Sequence, residues 1–378
     1  MNFKLRKFSF NEFLKRKKIV SKITILVFSL FFLVIRKVNS LFSLNEGNVV
    51  VIALLRLGDT IFSLPAVRQI VDHYGSKTIV LCFSASVPIY KLAFTDTEFC
   101  TIERSDFYFQ ERIAKFTIRK KLRALKPYII FDITGTMMSA SLIFNIRARK
   151  IIGVNGKLYS MIYDQFVQYR ESPKLVDIYL DAISPVFQIQ DRNKLKEQVL
   201  AANPNGKILV HPFARLKEKE WGLRKFINLA KKIHVNYDVN IIIETNYINH
   251  DIVQEIINSE INLLQTNSSE ELIQRIIECS LFIGNDSGPV NIANFIGKPT
   301  FTIYGSTNPV YTAPTSYHQI FIQKILKCSA RQNEKLCFTG GEVYICPGIQ
   351  CMNLLTIEEV YEDIIPLVNK CCYRRASN

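Results

Sequence analysis

The stretch of sequence that decides the fold spans residues 281–309 and reads LFIGNDSGPVNIANFIGKPTFTIYGSTNP. Residues 281–283 are apolar enough for a buried strand, residues 290–296 have helical spacing, and residues 300–304 predict a second strand. Strands that alternate with helices indicate a parallel sheet, and open α/β sheets bind ligands at the carboxyl ends of their strands. The sequence therefore predicts a ligand crevice at the two polar turns that follow these strands.

The turn between the first of these strands and the helix contains Asp286, Ser287 and Gly288. Asp or Ser suits the N-cap of a helix, and Pro289 suits its first position. The free backbone N–H groups of a helix N-terminus form a natural phosphate site. An ordinary capped helix between two strands would explain the same residues, so the binding interpretation depends on the rest of the chain.

Strands and helices alternate in both halves of the 378-residue chain. In the first half, strands are predicted at 48–55, 77–83, 98–102, 128–133 and 150–154, and helices at 60–74 and 108–126. In the second half, strands are predicted at 207–211 and 239–244, and helices at 223–233 and 268–279. A looser segment with one helical patch at 175–187 ends in Asn-Pro-Asn-Gly at 203–206, which is a linker signal. We therefore predict an α/β protein with two similar halves, each a doubly wound parallel sheet.

The N-terminal segment concentrates positive charge around an apolar run. Up to Lys37 there are ten Lys and Arg residues and one acid, Glu12, in a chain of net charge +15. Residues 23–35, ITILVFSLFFLVI, are fewer than the roughly 20 apolar residues that a spanning helix needs. We prefer a helix on the membrane surface to a true span, a signal peptide or a buried amphipathic helix. Its basic flanks indicate an anionic lipid surface rather than nucleic acid.

The nine cysteines are odd in number, and the two in the first half, Cys82 and Cys100, are scattered, which favours a reducing compartment over a disulfide framework. Four of them, Cys328, Cys337, Cys346 and Cys351, are enough for a tetrahedral zinc site. Their spacings contain no Cys-x-x-Cys pair, so the sequence does not predict a metal.

Two charged residues stand where a chemical role is expected. Asp59 follows Gly58 at the end of the first strand, where a carboxylate would face the crevice as a general base. The helix N-terminus would stabilise its anionic form. A carboxylate that only caps the helix is the alternative explanation for Asp59. Lys219 precedes the helix at 223–233 and could neutralise a phosphate beside the turn at 286–288. A solvated charge run is the alternative explanation for Lys219.

Three motifs, in order, resemble glycosyltransferase family 9, the ADP-heptose:lipopolysaccharide heptosyltransferases of Gram-negative bacteria. Residues 51–65, VIALLRLGDTIFSLP, are similar to the family's opening strand, R-x-G-D turn and Leu-Pro helix. Residues 208–233 are similar to its H-P-G-x…K-x-W…F-x-x-L-A pattern, and residues 283–309 to its G-x-D-S-G-P-x-H…A-x-G-x-P-x-x-x-x-Y-G-x-T-x-P pattern. The resemblance extends from about residue 47 to about residue 367. Two residues depart from it: Asn291 stands where the family usually has His, and Phe213 where it has Gly.

The resemblance implies a GT-B fold, in which two Rossmann-like domains face each other across the active-site cleft. On this basis residues 1–44 are a membrane-associated anchor, 45–190 the N-terminal acceptor domain and 207–355 the C-terminal nucleotide-sugar domain. Residues 356–372 are the closing helix, which the resemblance packs back toward the N-terminal domain. The expected location is the cytoplasmic face of the inner membrane.

The resemblance also implies an inverting, metal-independent transfer of a sugar, in the first place heptose from ADP-heptose, onto a lipopolysaccharide core or related lipid-linked glycan. No cofactor is expected. Asp59 would deprotonate the acceptor hydroxyl. The donor would be held by Lys219, Asp286, Ser287, Gly288, Asn291, Arg215 and Glu244. A GT-B transferase for another nucleotide sugar and a catalytically silent binding protein remain the alternatives, because Asn291 and Phe213 alter the donor side.

Overall fold

The computed structural model describes residues 30–43, 45–155, 160–168, 174–189, 205–247, 250–312, 319–330, 334–337 and 348–374. These residues build two parallel six-stranded sheets. The first sheet contains β1 (Asn48–Ala53), β2 (Thr78–Phe83), β3 (Glu98–Ile102), β6 (Pro127–Asp132), β7 (Lys150–Asn155) and β8 (Gln165–Gln168), and β4 (Phe107–Tyr108) and β5 (Ile113–Ala114) form a separate antiparallel hairpin. Its strand order is β3-β2-β1-β6-β7-β8, the doubly wound order in which ligands bind where the winding reverses.

The second sheet repeats this order. It contains β9 (Ile208–His211), β10 (Val239–Glu244), β11 (Asn262–Thr266), β12 (Leu281–Asn285), β13 (Thr300–Tyr304) and β14 (Gln319–Gln323), arranged as β11-β10-β9-β12-β13-β14. Strands such as β1 and β12 are apolar and buried along almost their whole length, as expected for parallel strands covered on both faces. The predicted Rossmann-like fold class is confirmed.

Helices cover both sheets. Those of the first half are α1 (residues 30–41), α2 (Leu57–Tyr74), α3 (Val87–Ala93), α4 (Phe116–Ala124), α5 (Met137–Ile143) and α6 (Leu175–Ile183). Those of the second half are α7 (Leu223–His234), α8 (His250–Ile257), α9 (Ser269–Glu278), α10 (Gly288–Ile296), α11 (Pro309–Thr312), α12 (Gln350–Leu354) and α13 (Ile357–Cys371). The predicted linker at 190–206 lies mostly outside the described residues.

The two lobes share one buried apolar cluster. It includes Val67 and Ile70 of α2, Ile276 of α9, and Val290 and Ala293 of α10. Helix α2 therefore packs on α10 across the lobes. Ser269 Oγ adds a hydrogen bond to the carbonyl of Ala85, at 2.8 Å. The apolar contact fixes how the carboxyl edges of the two sheets meet.

Helix α1 lies at the amino edge of the first sheet. Arg36 is buried there, where Nε donates to Asp164 Oδ2 at 3.0 Å and Nη1 donates to the carbonyl of Ala148 at 2.9 Å. Arg36 is therefore a structural cation and not one of the membrane-facing charges that the sequence pattern suggested. Of the apolar run 23–35, residues 23–29 lie outside the described part of the chain. Among the described helices, none combines the length and the apolar character needed to cross a bilayer.

The predicted long helix at 108–126 is wrong in its first half. Residues 107–114 form the β4–β5 hairpin, whose turn uses positive φ at Phe109, Gln110 and Glu111, so helical backbone is interrupted there. Only α4 is helical, and it still ends before Pro127 as predicted. No glycine or asparagine marks this turn in the sequence, which explains the error.

The closing helix α13 packs on the second domain. Its buried residues Val360, Ile364 and Val368 belong to the same apolar cluster as Phe226 of α7. Lys232 of α7 lies 4.8 Å from the ring centroid of Tyr361. This corrects the expectation that the helix packs back toward the N-terminal domain: among the described contacts, its apolar stripe is satisfied by α7 and β14.

Candidate active site

Asp59 lies in the first turn of α2, at the carboxyl edge of the first sheet. Its side chain is half-buried. Burial raises the pKa of Asp59 above the ordinary value of a carboxyl group, and the nearby cations Lys335, Arg56, Lys219 and Arg215 oppose this increase. Three of those cations, Lys335, Lys219 and Arg215, come from the second half of the chain. The carboxylate therefore faces the gap between the lobes, where the sequence placed a general base.

The two lobes touch at glycines. A Cβ atom on Gly58 would lie 3.2 Å from Gly288 Cα and 3.3 Å from Asn291 Nδ2, and one on Gly288 would lie 3.3 Å from Gly58 N. The contact brings together the N-termini of α2 and α10, neither of which has a side-chain cap. Each helix N-terminus carries partial positive charge, so both favour an anion at this junction.

Lys219 and Asp286 form an ion pair at the mouth of α10. Lys219 Nζ lies 2.6 Å from Asp286 Oδ2, and Thr312 Oγ1 donates to Asp286 Oδ1 at 3.1 Å. Asp286 is buried whereas Lys219 is only partly so. The carboxylate thus fixes the ammonium group beside Ser287 and Gly288. The sequence predicted this proximity of Lys219 to the 286–288 turn.

Lys335 is a cleft residue that the sequence did not reveal. Its ammonium group lies 4.1 Å from the ring centroid of Tyr311. The carbonyl of Lys335 accepts from Asn308 N at 2.9 Å, and Leu336 forms an antiparallel β-bridge with Thr307. These two contacts hold the segment that carries Lys335 against the turn after β13. Burial lowers the pKa of Lys335, whereas attraction to Asp59 raises it and repulsion from Lys219 lowers it.

Three arginines extend the positive field around Asp59. Burial and the neighbouring Arg215 and Arg104 lower the pKa of Arg56. Arg56 and Arg215 are exposed. Arg104 stacks over Phe83 at 4.5 Å and pairs with Glu111. Arg56 of the R-x-G-D turn therefore lies near cations from both lobes, Arg104 of the first and Arg215 of the second.

Glu244 and His211 meet at the ends of β10 and β9. His211 Nε2 lies 2.6 Å from Glu244 Oε2. Burial pushes the pKa of Glu244 upward, but attraction and hydrogen bonding to His211 outweigh it and hold the pKa below the ordinary glutamate value. Glu244 also acts electrostatically on Tyr247, as does Arg215. The predicted Glu244 thus lies at the carboxyl edge of the second sheet, in contact with the H-P motif.

Amide groups hold the cleft-facing turns of the second domain. Asn285 Oδ1 accepts from Trp221 N at 3.0 Å, and its Nδ2 donates to the carbonyl of Pro212 at 2.8 Å. Ser287 Oγ is buried and has no hydrogen-bond partner among the described residues. Phe213 stacks on Tyr247 with ring centroids 5.2 Å apart and is buried. The large side chain of Phe213 is therefore packed inside the second domain.

A buried carboxylate supports the cleft side of the first domain. Asp132 at the end of β6 accepts from Tyr163 Oη at 2.6 Å and from the backbone N–H groups of Thr134 and Gly135 at 3.0 Å. Thr134 Oγ1 in turn accepts from Leu54 N at 2.8 Å. This network joins the loops after β1 and β6 and so fixes the chain that leads to Asp59. No motif or spacing in the sequence marks Asp132, Thr134 or Tyr163 as part of the site.

Three of the late cysteines line a common cavity. Cys328, Cys337 and Cys351 line one cavity of about 270 Å³ together with Glu218 and Ser306. Cys346 lies outside the described residues. Among the residues that are described, no set of His, Cys, Asp and Glu side chains is arranged to hold a metal ion. The absence of a metal remains a prediction.

Comparisons with known proteins find related sequences and structures. The model of the family described as "Glycosyltransferase family 9 (heptosyltransferase)" matches residues 115–339, more than half of the chain. Lipooligosaccharide heptosyltransferase 2 of Campylobacter jejuni is 21% identical over 272 residues, which are 68% of this chain and 81% of that protein.

Two solved structures share the fold. The glycosyl transferase family 9 protein of Veillonella parvula superposes with a TM-score of 0.66 at 14% identity, covering 87% of this chain and 99% of that one. The ADP-heptose lps heptosyltransferase II of E. coli superposes with a TM-score of 0.64 at 18% identity, covering 85% of this chain and 99% of that one. At such identities the likeness concerns the two-domain Rossmann-like fold.

Proposed function

The chain belongs to glycosyltransferase family 9, and from this premise we propose that it transfers a sugar, in the first place heptose from ADP-heptose, onto a lipopolysaccharide-type acceptor. The observation that carries the proposal is the junction of Asp59 with the Lys219–Asp286 pair across the Gly58–Gly288 contact. It offers a base from one lobe and an anion site from the other. Transfer from a nucleotide sugar to a sugar hydroxyl requires both the base and the anion site.

In the proposed reaction the Asp59 carboxylate takes the proton of the acceptor hydroxyl. The hydroxyl oxygen forms the new bond to the anomeric carbon while the bond from that carbon to the diphosphate oxygen breaks, so the configuration inverts. The electron pair leaves with the nucleoside diphosphate. A half-buried carboxylate with a raised pKa suits the role of a base, because a stronger base accepts the proton more readily.

The leaving diphosphate gains negative charge, and cations supply the electrostatic stabilisation. Lys219, Lys335 and Arg215 are the side chains we assign to it, together with the N-terminus of α10 at Gly288. We assign Asp286 to holding Lys219, and Ser287 and Asn291 to direct donor contact. We assign Glu244 to the nucleoside end of the donor, because it lies at the neighbouring strand end.

This chemistry uses lysine and arginine where other transferases use a metal ion. We therefore propose that transfer needs no metal or cofactor. Transfer measured with a chelator present should equal transfer without it. A loss of activity that iron or zinc restores would contradict this part of the proposal.

The deciding experiment measures transfer and donor binding separately. Purified protein is incubated with ADP-heptose or other nucleotide sugars and a delipidated core acceptor, and release of nucleoside diphosphate is followed. D59N should reduce transfer at least about a hundredfold, while calorimetry shows donor affinity within a fewfold of wild type. D72N is the matched control, because Asp72 is an exposed carboxylate on the same helix.

Three outcomes separate the alternatives. Turnover with a nucleotide sugar other than ADP-heptose would assign another donor to the same site. Donor binding without turnover in the wild-type protein would indicate a silent binding protein. Equal transfer by D59N and wild type would remove Asp59 from the reaction.

A further inference from the structure

Helix α1 carries an apolar face that nothing among the described residues covers. Leu30, Phe31, Val34, Val38 and Leu41 are all exposed, Val34 by 60% and Leu41 by 81%. Their spacing of three to four residues places them along one side of the helix. An exposed apolar stripe of this length marks an interaction surface rather than ordinary surface variation.

The opposite side of α1 is fixed to the protein. Arg36 and Asn39 are buried, and Asn39 Nδ2 donates to Asn145 Oδ1 at 3.1 Å. Phe32 packs edge-on against Phe144, with ring centroids 5.9 Å apart. The helix therefore presents its apolar stripe on a rigid support, and the stripe is not free to fold back onto the first sheet.

A basic cavity adjoins the C-terminal end of the stripe. It measures about 510 Å³, and Arg123, Lys126 and Arg147 line it together with Phe42. Phe42 is itself 65% exposed, and the Arg147 guanidinium lies 5.7 Å from its ring centroid. The three basic side chains are exposed. Apolar stripe and basic cavity thus form one continuous surface, called here the α1 face.

We propose that the α1 face binds an anionic phospholipid bilayer, with its apolar side chains in the headgroup–acyl boundary and lipid phosphates at the basic cavity. Amphipathic helices with apolar and basic groups bind bilayers in this way, and each Lys or Arg near an anionic surface adds attraction. The preceding sequence, with eight Lys and Arg residues and one acid in residues 1–29, has the same charge. A second protein would need a complementary acidic, apolar surface.

The position of the face fits this partner. Lys126 directly precedes β6, and Arg147 lies just before β7, so the face is at the amino edge of the first sheet. Asp59 lies at the carboxyl edge. The bilayer and the cleft therefore occupy opposite ends of the domain, and membrane binding leaves the cleft open.

The test is flotation of the full-length protein with vesicles of phosphatidylcholine alone or with phosphatidylglycerol. Wild type should float with the anionic vesicles and less so as salt is raised. V34E/V38E changes only exposed side chains. Its floating fraction should be lower than that of wild type by about tenfold or more. K126Q/R147Q should lose about thirtyfold in partitioning to anionic vesicles, since each charge contributes about five- to sixfold.

The matched control is K207Q/K231Q, which removes two exposed lysines from the second domain and should float like wild type. Thermal unfolding of each variant checks that the fold is intact. Flotation of V34E/V38E equal to wild type would overturn the proposal, because residues 1–29 or another surface would then carry the binding. A wild-type dimer that V34E/V38E dissociates, without flotation, would also overturn it and assign the face to a second copy. Neither measurement depends on the proposed reaction.

Discussion

Lys335 shows how a single side chain tunes the proposed base. Among the charged neighbours of Asp59, Lys335 has the largest effect in lowering its pKa, against the larger effect of burial. The cation over the Tyr311 ring is held by the 334–337 segment and not by an ion pair among the described residues. Its charge is therefore available both to Asp59 and to a diphosphate.

The Lys335→Gln substitution should lower transfer at neutral pH by about tenfold or more, since a hydrogen bond to a charged group contributes about 1.5–3 kcal/mol. It should also raise the pKa of Asp59. The base is active when deprotonated, so the acidic limb of the kcat/KM profile should move to higher pH. Measuring kcat/KM against pH for wild type and K335Q tests this.

Two further variants make that test specific. K335R should restore most of the activity because it keeps the charge, and K327Q, at an exposed lysine in the same connection, should resemble wild type. An unshifted acidic limb in K335Q would show that Lys335 does not act on the base.

At the scale of elements, the contact of α2 with α10 has no room for side chains. A Cβ on either glycine forces the two helix N-termini apart by a few tenths of an ångström, because the opposing atoms are backbone. Such a shift moves Asp59 away from the Lys219–Asp286 pair. Small displacements of catalytic groups are costly because in-line attack requires close alignment.

We expect G58A and G288A each to reduce kcat/KM by about tenfold to a hundredfold with little change in thermal stability. Because both substitutions open the same contact, their effects should not add, and the double variant should lose less than the product of the single losses. Steady-state kinetics of the four proteins measure this cycle. Fully multiplicative losses would mean that the glycines act on separate features.

The elements differ in how far the sequence could predict them. Long apolar runs such as β1 and β12 are buried on both faces, so composition alone identifies them. The Ser268 cap of α9 was also predictable, and Ser268 Oγ accepts from Glu271 N at 3.1 Å. The β4–β5 hairpin was not, because Phe109–Glu111 turn without a glycine. Short edge strands such as β8 and β14 are weakly patterned and were missed.

The candidate site divides in the same way. Asp59, Lys219 and Asp286 follow strand ends or precede helices, so parallel topology brings them together and a pattern can find them. Lys335 escaped because its position depends on a tertiary contact, the bridge from the neighbouring Leu336 to Thr307. Asp132 stands at a strand end, but its contribution depends on the buried hydroxyl of Tyr163, which the sequence does not place beside it. Such contacts leave no periodic trace in a sequence.

At the scale of the whole molecule, the shared apolar cluster couples the two lobes. Because α2 and α10 contribute to one buried core, we expect the lobes to unfold together. Trp221, the single tryptophan, is buried in the second domain, so its fluorescence reports that domain, whereas circular dichroism reports helices of both. In urea the two signals should give coincident transitions. Separate midpoints would show that the lobes unfold independently.

The opposed edges of the first sheet have a consequence for the length of the acceptor. Six residues of strand measure about 20 Å, and this is the height at which Asp59 would stand above a membrane that holds α1. A glycan that is anchored in that membrane must extend over this distance for its acceptor hydroxyl to reach Asp59. Glycolipids whose glycan is long enough would reach the base while their lipid stays in the bilayer. Glycolipids with a shorter glycan would have to leave the bilayer in part before they could react.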